Sequence, residues 1–169
     1  VEDDVTTYVE YENGATGVFI TTTGDAHGTN RFEIQMDRAK FVVEHNKLIM
    51  EEYEMTEQEF SKTNTSAFAT VMSEYSEVET DGKNEQHVGV LNAWADAILH
   101  GGKLVAHGSE GINGLMLSNA MHLSAFLGKE VSLPIDEELY YNELMKRVAT
   151  SRRKEGVKAV FADTAGSFA

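Results

Sequence analysis

The spacing of apolar residues changes its period near residue 80, and this change limits the folds open to the chain. Up to Glu79, apolar and polar residues alternate in short runs, as they do in half-buried strands. Beyond that point apolar residues recur every three to four positions, as in amphipathic helices. A strand-rich half followed by a helical half predicts an α+β fold. We expect an open, predominantly antiparallel β-sheet with helices packed on one face.

The strand-rich half is punctuated by strong turn signals. Asn13-Gly14 is the clearest of them, and it predicts that Val5–Glu12 pairs with Thr16–Thr23 as a hairpin. Short turns then separate further alternating segments, which predicts a meander. Its expected strands are Arg31–Met36, Lys40–Glu44, Leu48–Tyr53 and Ser73–Glu79, with Glu57–Lys62 as an edge strand.

The helical half begins with a helix that Asn84 can cap and that Gly101 can end in a left-handed conformation. One face of this helix is expected to be buried, and its apolar stripe consists of Leu91, Trp94, Ala95 and Ile98. The segment 104–106 is predicted to be a short strand.

A second helix is expected to start at a Ser109 cap and to stop at Gly128. Its predicted apolar side consists of Ile112, Leu115, Met116, Leu123 and Leu127. Residues 131–134 predict another short strand. Asp136 is the predicted cap of a third helix, which has acidic residues in its first turn and basic residues in its last, as the helix dipole favours. The inner face predicted for this helix consists of Tyr141, Leu144, Met145 and Val148.

Composition narrows the class of protein. The 169 residues are 41% hydrophobic, which is enough for one domain with a sizeable core, predicted to span residues 1–169. The formal charge of −14 argues against nucleic acid and anionic membranes as partners, because both attract basic surfaces. No cysteine is present, which fits a reducing compartment, and no apolar run is as long as a membrane span. We therefore expect a cytoplasmic protein.

Three groups of residues are candidates for a functional site. The run Gly108-x-x-Gly111-x-x-Gly114 lacks the spacing and the parallel βαβ context of a dinucleotide fingerprint, so close packing is the favoured interpretation. The six histidines show no metal-ligand spacing. The loop that carries His27, Asn30 and Arg31 combines imidazole, amide and guanidinium groups beside glycines. These three residues are the predicted substrate-binding side chains, although a solvated hairpin loop is the simpler explanation for them.

Two stretches carry a resemblance to a known family. The first comprises Val1–Val5, Tyr11–Ile20, Gly28–Ile34 and Lys40–Glu44, and the second comprises His87–Ile98, Gly108–Gly111 and Gly128–Pro134. Together they resemble the C-terminal domain of the Gfo/Idh/MocA family, the relatives of glucose–fructose oxidoreductase and inositol dehydrogenase. The chain departs from the family at the turn after Ile34, where Met36 and Ala39 replace the glycines often found there.

The resemblance implies an NAD(P)-dependent oxidoreductase that acts on a sugar, inositol or related polyol by hydride transfer. In that family an N-terminal Rossmann domain binds NAD or NADP and supplies the catalytic lysine, and an Asp…His pair lies at the domain junction. The C-terminal sheet forms a wall of the substrate site and commonly builds a homo-oligomer. No position here matches the catalytic motifs, so no catalytic, cofactor-binding or metal-binding residue is assigned. The chain is expected to lack the Rossmann domain, to bind no cofactor by itself and to be inactive alone.

Two other classes of protein remain open from the sequence. One is a stand-alone, non-catalytic binding or assembly domain of the same fold, which a start codon just upstream of Val1 would favour. The other is a metal-binding domain built from the scattered histidines. The identity of the polyol, the choice between NAD and NADP, and the size of the oligomer are not encoded in any motif found here.

Overall fold

The computed structural model of the chain describes residues 3–83, 85–152 and 155–156. The chain forms two compact units, Val1–Lys103 and Leu104–Ala169. The first contains all the described strands and two helices, and the second contains helices alone. The predicted α+β class is confirmed, and every strand pairing among the described residues is antiparallel.

The Asn13-Gly14 hairpin is confirmed. Strands β1 (Asp4–Glu10) and β2 (Thr16–Thr22) pair along their whole length in a two-stranded sheet. Gly14 has φ +85°, a backbone conformation that residues other than glycine rarely adopt. Its N–H donates to the Tyr11 carbonyl at 2.9 Å. The Asn13 side chain closes the turn by accepting from the Ala15 N–H at 3.0 Å.

The remaining strands form a four-stranded meander in the order β3, β4, β5, β6. They span Arg31–Gln35, Ala39–Glu44, Lys47–Tyr53 and Ser73–Val78. The sequence predicted one continuous sheet, whereas the described strands form two hydrogen-bonded sheets. The loop at residues 24–30 separates them, and it carries no strand pairing.

The register gives the four-stranded sheet one apolar and one charged face. Residues directly opposite each other share a face, and the face alternates along each strand. The apolar face consists of Phe32, Ile34, Ala39, Phe41, Val43, Leu48, Met50 and Val78, bordered by Glu52, Glu74 and Ser76. On the opposite face, four acidic and three basic side chains surround Val42 and Ile49.

The expected edge strand at Glu57–Lys62 is wrong, because this segment is helix α1, Glu57–Thr63. A capping box starts it: the Thr56 hydroxyl accepts from the Glu59 N–H at 3.1 Å, and the Glu59 carboxylate accepts from the Thr56 N–H at 2.9 Å. These reciprocal bonds satisfy amides that would otherwise be unpaired at a helix start. They favour a helix over a strand in a segment with little apolar alternation.

Helix α2 spans Gln86–His100 and ends, as predicted, at Gly101 with φ +73°. The predicted cap Asn84 lies outside the described residues, and Glu85 at the N-cap position makes no side-chain capping bond. The stripe predicted to be buried is instead largely exposed: Leu91, Trp94 and Ile98 are 62%, 57% and 64% exposed. Helical periodicity indicates that the apolar stripe of α2 is suited to burial against another surface. It does not show whether that surface belongs to the described residues.

In the second unit, helix α3 (Gly111–Leu127) follows a short 3-10 helix at Gly108–Glu110. The predicted Ser109 cap is wrong. The His107 ring Nδ1 accepts from the Ser109 N–H at 3.3 Å, and the Glu110 carboxylate accepts from the His107 N–H at 3.2 Å. Gly128 ends α3 with φ +64°, as predicted. The short strands expected at 104–106 and 131–134 are also wrong, because neither segment has a pairing partner among the described residues.

The core of the second unit lies between α3 and helix α4, Glu137–Thr150. Ala120, Leu123 and Ile135 are buried, and Met116, Leu127, Val131 and Tyr140 pack around them. Ile112 and Leu115, expected on the apolar side of α3, are both more than half exposed. The Asp136 cap is confirmed, since its carboxylate accepts from the Leu139 N–H at 2.9 Å.

The predicted inner face of α4 is wrong at three of its four positions. Tyr141, Met145 and Val148 are exposed, and only Leu144 is half-buried. The neighbouring Tyr140 points inward instead, and its ring lies nearly parallel to that of Phe126 with 6.3 Å between centroids. Two adjacent tyrosines make the helical face ambiguous in sequence, because neighbouring positions differ by about 100° around the axis.

Candidate functional site

The loop predicted to contact substrate lies between β2 and β3 and is fully exposed. His27 has φ +61°, a left-handed conformation that is uncommon for residues other than glycine. The side chains of His27 and Asn30 form no hydrogen bond with any other described residue. Both groups are therefore available to solvent or to a ligand.

Arg31, the third predicted residue, is already paired with two carboxylates. Its guanidinium forms ion pairs with Glu33 and, at 2.7 Å, with Glu44 on the neighbouring strand. Hydrogen bonding to Glu33 is the main cause that raises the pKa of Arg31 above its ordinary value. The sequence analysis missed both carboxylates. The spacing of Glu33 two residues from Arg31 on a strand was an available signal, because such residues share a face.

Two more cross-strand ion pairs lie on the same face of the sheet. Lys40 contacts Glu51 at 3.0 Å, and Lys47 contacts Glu77 at 2.7 Å. The hydrogen bond from Lys40, followed by one from Ser73, lowers the pKa of Glu51. This face therefore presents fixed hydrogen-bond donors and acceptors in alternation, whereas the opposite face presents hydrocarbon.

A cavity of about 560 Å³ opens at the edge of the sheet where β5 begins and β6 ends. Residues 46–48 and 77–80 line it, so it lies beside the Lys47–Glu77 ion pair. A smaller cavity of about 230 Å³ lies in the second unit next to Leu123 and Ile135.

The described histidines do not assemble a metal centre. His100 bonds Asp96 at 2.8 Å near the end of α2, and His107 caps the 3-10 helix. His45 lies in the turn between β4 and β5 with φ +52°. Among the described residues, no three His, Cys, Asp or Glu side chains are grouped so that they could hold a metal ion. The metal-binding alternative thus gains no support from the described part of the chain.

Comparison with known families gives a match over residues 1–133, against the profile described as the C-terminal α/β domain of an oxidoreductase family, GFO_IDH_MocA_C. The chain belongs to the Gfo/Idh/MocA oxidoreductase family. The match covers the hairpin, the four-stranded sheet, α2 and α3, while α4 lies beyond it. A search of curated proteins finds no match.

In the Gfo/Idh/MocA family this domain follows an N-terminal partner domain, and the intact proteins are oxidoreductases. The glycine run of the present domain does not fit a dinucleotide. Gly108 is the first residue of the 3-10 helix and Gly111 follows its last, and the segment before them is not a strand. A pyrophosphate cradle needs a strand, a glycine turn and a helix within a parallel unit, and the described strands contain no parallel pair. No reaction step through a nucleotide is therefore derived from these residues.

Within residues 3–83, 85–152 and 155–156, no helix combines the length and the apolar character that crossing a membrane requires.

Proposed function

We propose that this chain is the substrate-side and oligomer-forming half of an NAD(P)-dependent oxidoreductase that acts on a sugar, inositol or related polyol. The family match over residues 1–133 supports the oxidoreductase class. The observation that carries the assembly role is the apolar face of the four-stranded sheet. Phe32, Ile34 and Val43 on that face are 61%, 44% and 43% exposed.

An exposed apolar face of this kind favours association. Each square ångström of apolar surface removed from water contributes about 25 cal/mol, and large contiguous patches on soluble proteins mark interaction sites. The charged face lacks this driving force, because its side chains are paired across the strands. We therefore expect the apolar face to form the contact between copies, and the charged face to remain hydrated or to meet a polar ligand.

The proposed roles of the N-terminal domain and of this chain follow from the family. A nicotinamide held by the N-terminal domain accepts or donates the hydride when it is bound. The residues of this chain hold hydroxyl groups in place, and His27, Asn30 and Arg31 are the proposed contacts. The 169-residue chain alone is expected to be inactive toward polyols.

The test is the oligomeric state of the 169-residue chain by light scattering. Phe32→Glu places a carboxylate on the apolar face, and Tyr75→Glu is the matched control on the charged face. Both aromatic residues are exposed, at 61% and 70%, and both lie on the outer strands of the sheet, β3 and β6. Neither substitution opens a cavity in a core, so the fold should survive, and circular dichroism checks that it does.

We expect an oligomer that Phe32→Glu dissociates and Tyr75→Glu leaves intact. A monomeric wild-type chain, or an oligomer that both variants dissociate equally, would contradict the assembly role. The oxidoreductase role is tested separately, by joining the chain to an N-terminal nucleotide-binding domain of the family and following NAD(P)H absorbance with inositols and sugars. No polyol-dependent change in that absorbance would contradict it.

A further inference from the structure

The turn of the β1–β2 hairpin folds the side chain of Asn13 back toward the backbone that follows it. Its Oδ1 accepts from the Ala15 N–H at 3.0 Å. This hydrogen bond closes a ring of atoms that runs from the Asn13 side chain through the Gly14 peptide to the Ala15 nitrogen. The same ring contains Cγ of Asn13 and the nitrogen of Gly14, the two atoms that must join to form a cyclic imide.

The turn is also open to solvent and unhindered at the reacting nitrogen. Apart from the two chain neighbours of Gly14, no atom of a described residue lies within 4 Å of the position that a Cβ would occupy there. Residues 11–16 are exposed, so hydroxide can reach the Gly14 N–H once its bond to the Tyr11 carbonyl opens. Attack on Cγ places negative charge on Oδ1, and the Ala15 N–H already donates to that atom.

We propose that Asn13 is a site of spontaneous deamidation, and that the hairpin turn selects it over the other asparagines. Hydroxide removes the Gly14 N–H proton, and the nitrogen attacks Cγ of Asn13. The Cγ–Nδ2 bond breaks, and Nδ2 takes a proton from water and leaves as ammonia, which regenerates hydroxide. Water then opens the imide at Cγ to give aspartate, or at the main-chain carbonyl carbon to give isoaspartate. One water is consumed and one ammonia released, with no oxidation or reduction.

A second Asn-Gly pair, Asn113-Gly114, lies in a different backbone conformation. Both residues are exposed and lie in the first turn of α3. Because the Cα–Cβ bonds of a helix tilt toward its N-terminus, the Asn113 side chain is directed away from the nitrogen that follows it. The helix must open before that nitrogen can attack. The two pairs thus share the dipeptide and the exposure, and they differ in conformation.

Two other turns contain the same kind of hydrogen bond without the same chemistry. Asn64 Oδ1 accepts from the N–H two residues further on at 3.0 Å, but Thr65 lies between them, and its branched side chain hinders attack. Asp81 accepts in the same way at 3.0 Å across Gly82, but a carboxylate is a weaker electrophile than an amide and has no ammonia to lose. Among the residues that the structure describes, Asn13 combines the amide, the following glycine and the closing hydrogen bond.

Conversion to isoaspartate would loosen the hairpin. The main chain of isoaspartate runs through Cβ and Cγ, which lengthens the turn by one carbon and takes Oδ1 out of the side chain. The bond from the Ala15 N–H is then lost. The isoaspartate form should therefore exchange its β1 and β2 amides faster than the unmodified chain.

The experiment is an incubation of the 169-residue chain at mildly alkaline pH, with samples taken over days. The tryptic peptides 1–31, 63–83 and 104–129 contain Asn13, Asn64 and Asn113 respectively. Fragment mass spectra follow the conversion of each amide to an acid, and a methyltransferase specific for isoaspartyl residues detects isoaspartate. A parallel incubation in urea removes the hairpin and the helix, so it measures the reactivity of each dipeptide without the fold.

In the folded chain, Asn13 should convert at least about tenfold faster than Asn113, because Asn113 reacts only when its helix opens. Asn64 should also convert more slowly than Asn13. In urea, the rates of Asn13 and Asn113 should differ by less than about threefold. Ala15→Pro removes the donor to Oδ1 and keeps the Asn-Gly pair. It should slow Asn13 in the folded chain by about fivefold, as the loss of one hydrogen bond predicts, and leave the rate in urea unchanged.

Any of three results would overturn the proposal. The first is equal conversion of Asn13 and Asn113 in the folded chain, and the second is a difference between them that persists in urea. Neither of these comparisons needs a variant. The third is an unchanged rate at Asn13 in Ala15→Pro, with amide exchange in β1 and β2 showing that the hairpin is intact.

Discussion

Arg147 joins the two main helices of the second unit, and its replacement gives a prediction with a calculable size. Its guanidinium lies 3.7 Å from the centroid of the Phe126 ring and donates to the Phe126 carbonyl at 3.1 Å. It also contacts the Glu143 carboxylate at 3.1 Å. Arg147→Met keeps the length and the hydrocarbon of the side chain but removes the charge and every donor.

The expected loss comes from three contacts. The cation–π contact contributes about 0.5–1 kcal/mol at an exposed site. The charge-assisted hydrogen bond to Phe126 would contribute about 1.5–3 kcal/mol if it were buried, and about 1 kcal/mol here because the Arg147 side chain is 41% exposed. The ion pair adds little, because Lys146 also pairs with Glu143. Arg147→Met should therefore lower the free energy of local unfolding by about 2 kcal/mol.

Native-state hydrogen exchange measures this loss at the helices concerned. A loss of about 2 kcal/mol speeds exchange of the protected α3 and α4 amides by about thirtyfold. Lys146→Met is the matched control, since it removes an exposed positive charge that pairs with the same Glu143 carboxylate. It should change the exchange rates by less than about threefold. Equal acceleration by both variants, or none by Arg147→Met, would refute the reasoning that the contact with Phe126 holds α4 to α3.

Three further outcomes are expected. Hydrogen bonds from Lys146 and then Arg147 lower the pKa of Glu143 below its usual 4.5. The carboxylate therefore contributes to the free energy of unfolding above pH 4.5, and this contribution is lost as the pH falls through the folded-state pKa. In an acid titration followed by circular dichroism, Glu143→Gln should show a shallower fall in stability than the wild-type chain. Gly128→Ala should cost about 1 kcal/mol in urea unfolding because φ is +64°, whereas Gly114→Ala, inside α3 with open space around it, should stabilise by about 0.5–1 kcal/mol. Thr56→Ala should lower the free energy of unfolding by about 1 kcal/mol and speed amide exchange in α1. Unchanged exchange in α1 would contradict a stabilising role for the capping box.

Local signals explain which elements were predicted correctly. The hairpin turn at Asn13-Gly14 and the helix ends at Gly101 and Gly128 depend on backbone conformations that few residue types adopt. The Asp136 cap likewise depends on one side chain and an amide three residues away. Such features need no knowledge of the tertiary fold, so the sequence suffices to place them.

Features that depend on neighbours were predicted poorly. The choice between Tyr140 and Tyr141 on α4 is made by the Phe126 ring on another helix. The weak apolar pattern of Glu57–Lys62 led to the wrong prediction of an edge strand, although Thr56 followed by Glu59 is a helix-start signal present in the sequence. The partners of Arg31 required the strand register, which sets Glu44 opposite it. The hydrophobic pattern and the geometry of the turn set that register together, so the residues around Arg31 do not reveal it by themselves.

The charged face of the sheet also constrains how the chain folds. A slip of β5 along β4 by two residues keeps every side chain on its original face, so the apolar face alone does not reject it. On the charged face such a slip would move Lys40 from Glu51 to Ile49 or Tyr53. Either slip sets the Lys40 ammonium opposite an apolar or aromatic side chain and breaks its ion pair with Glu51. Each of these ion pairs adds little to the stability of the sheet, but the Lys40–Glu51 pair favours the observed register of β4 and β5 over a two-residue slip.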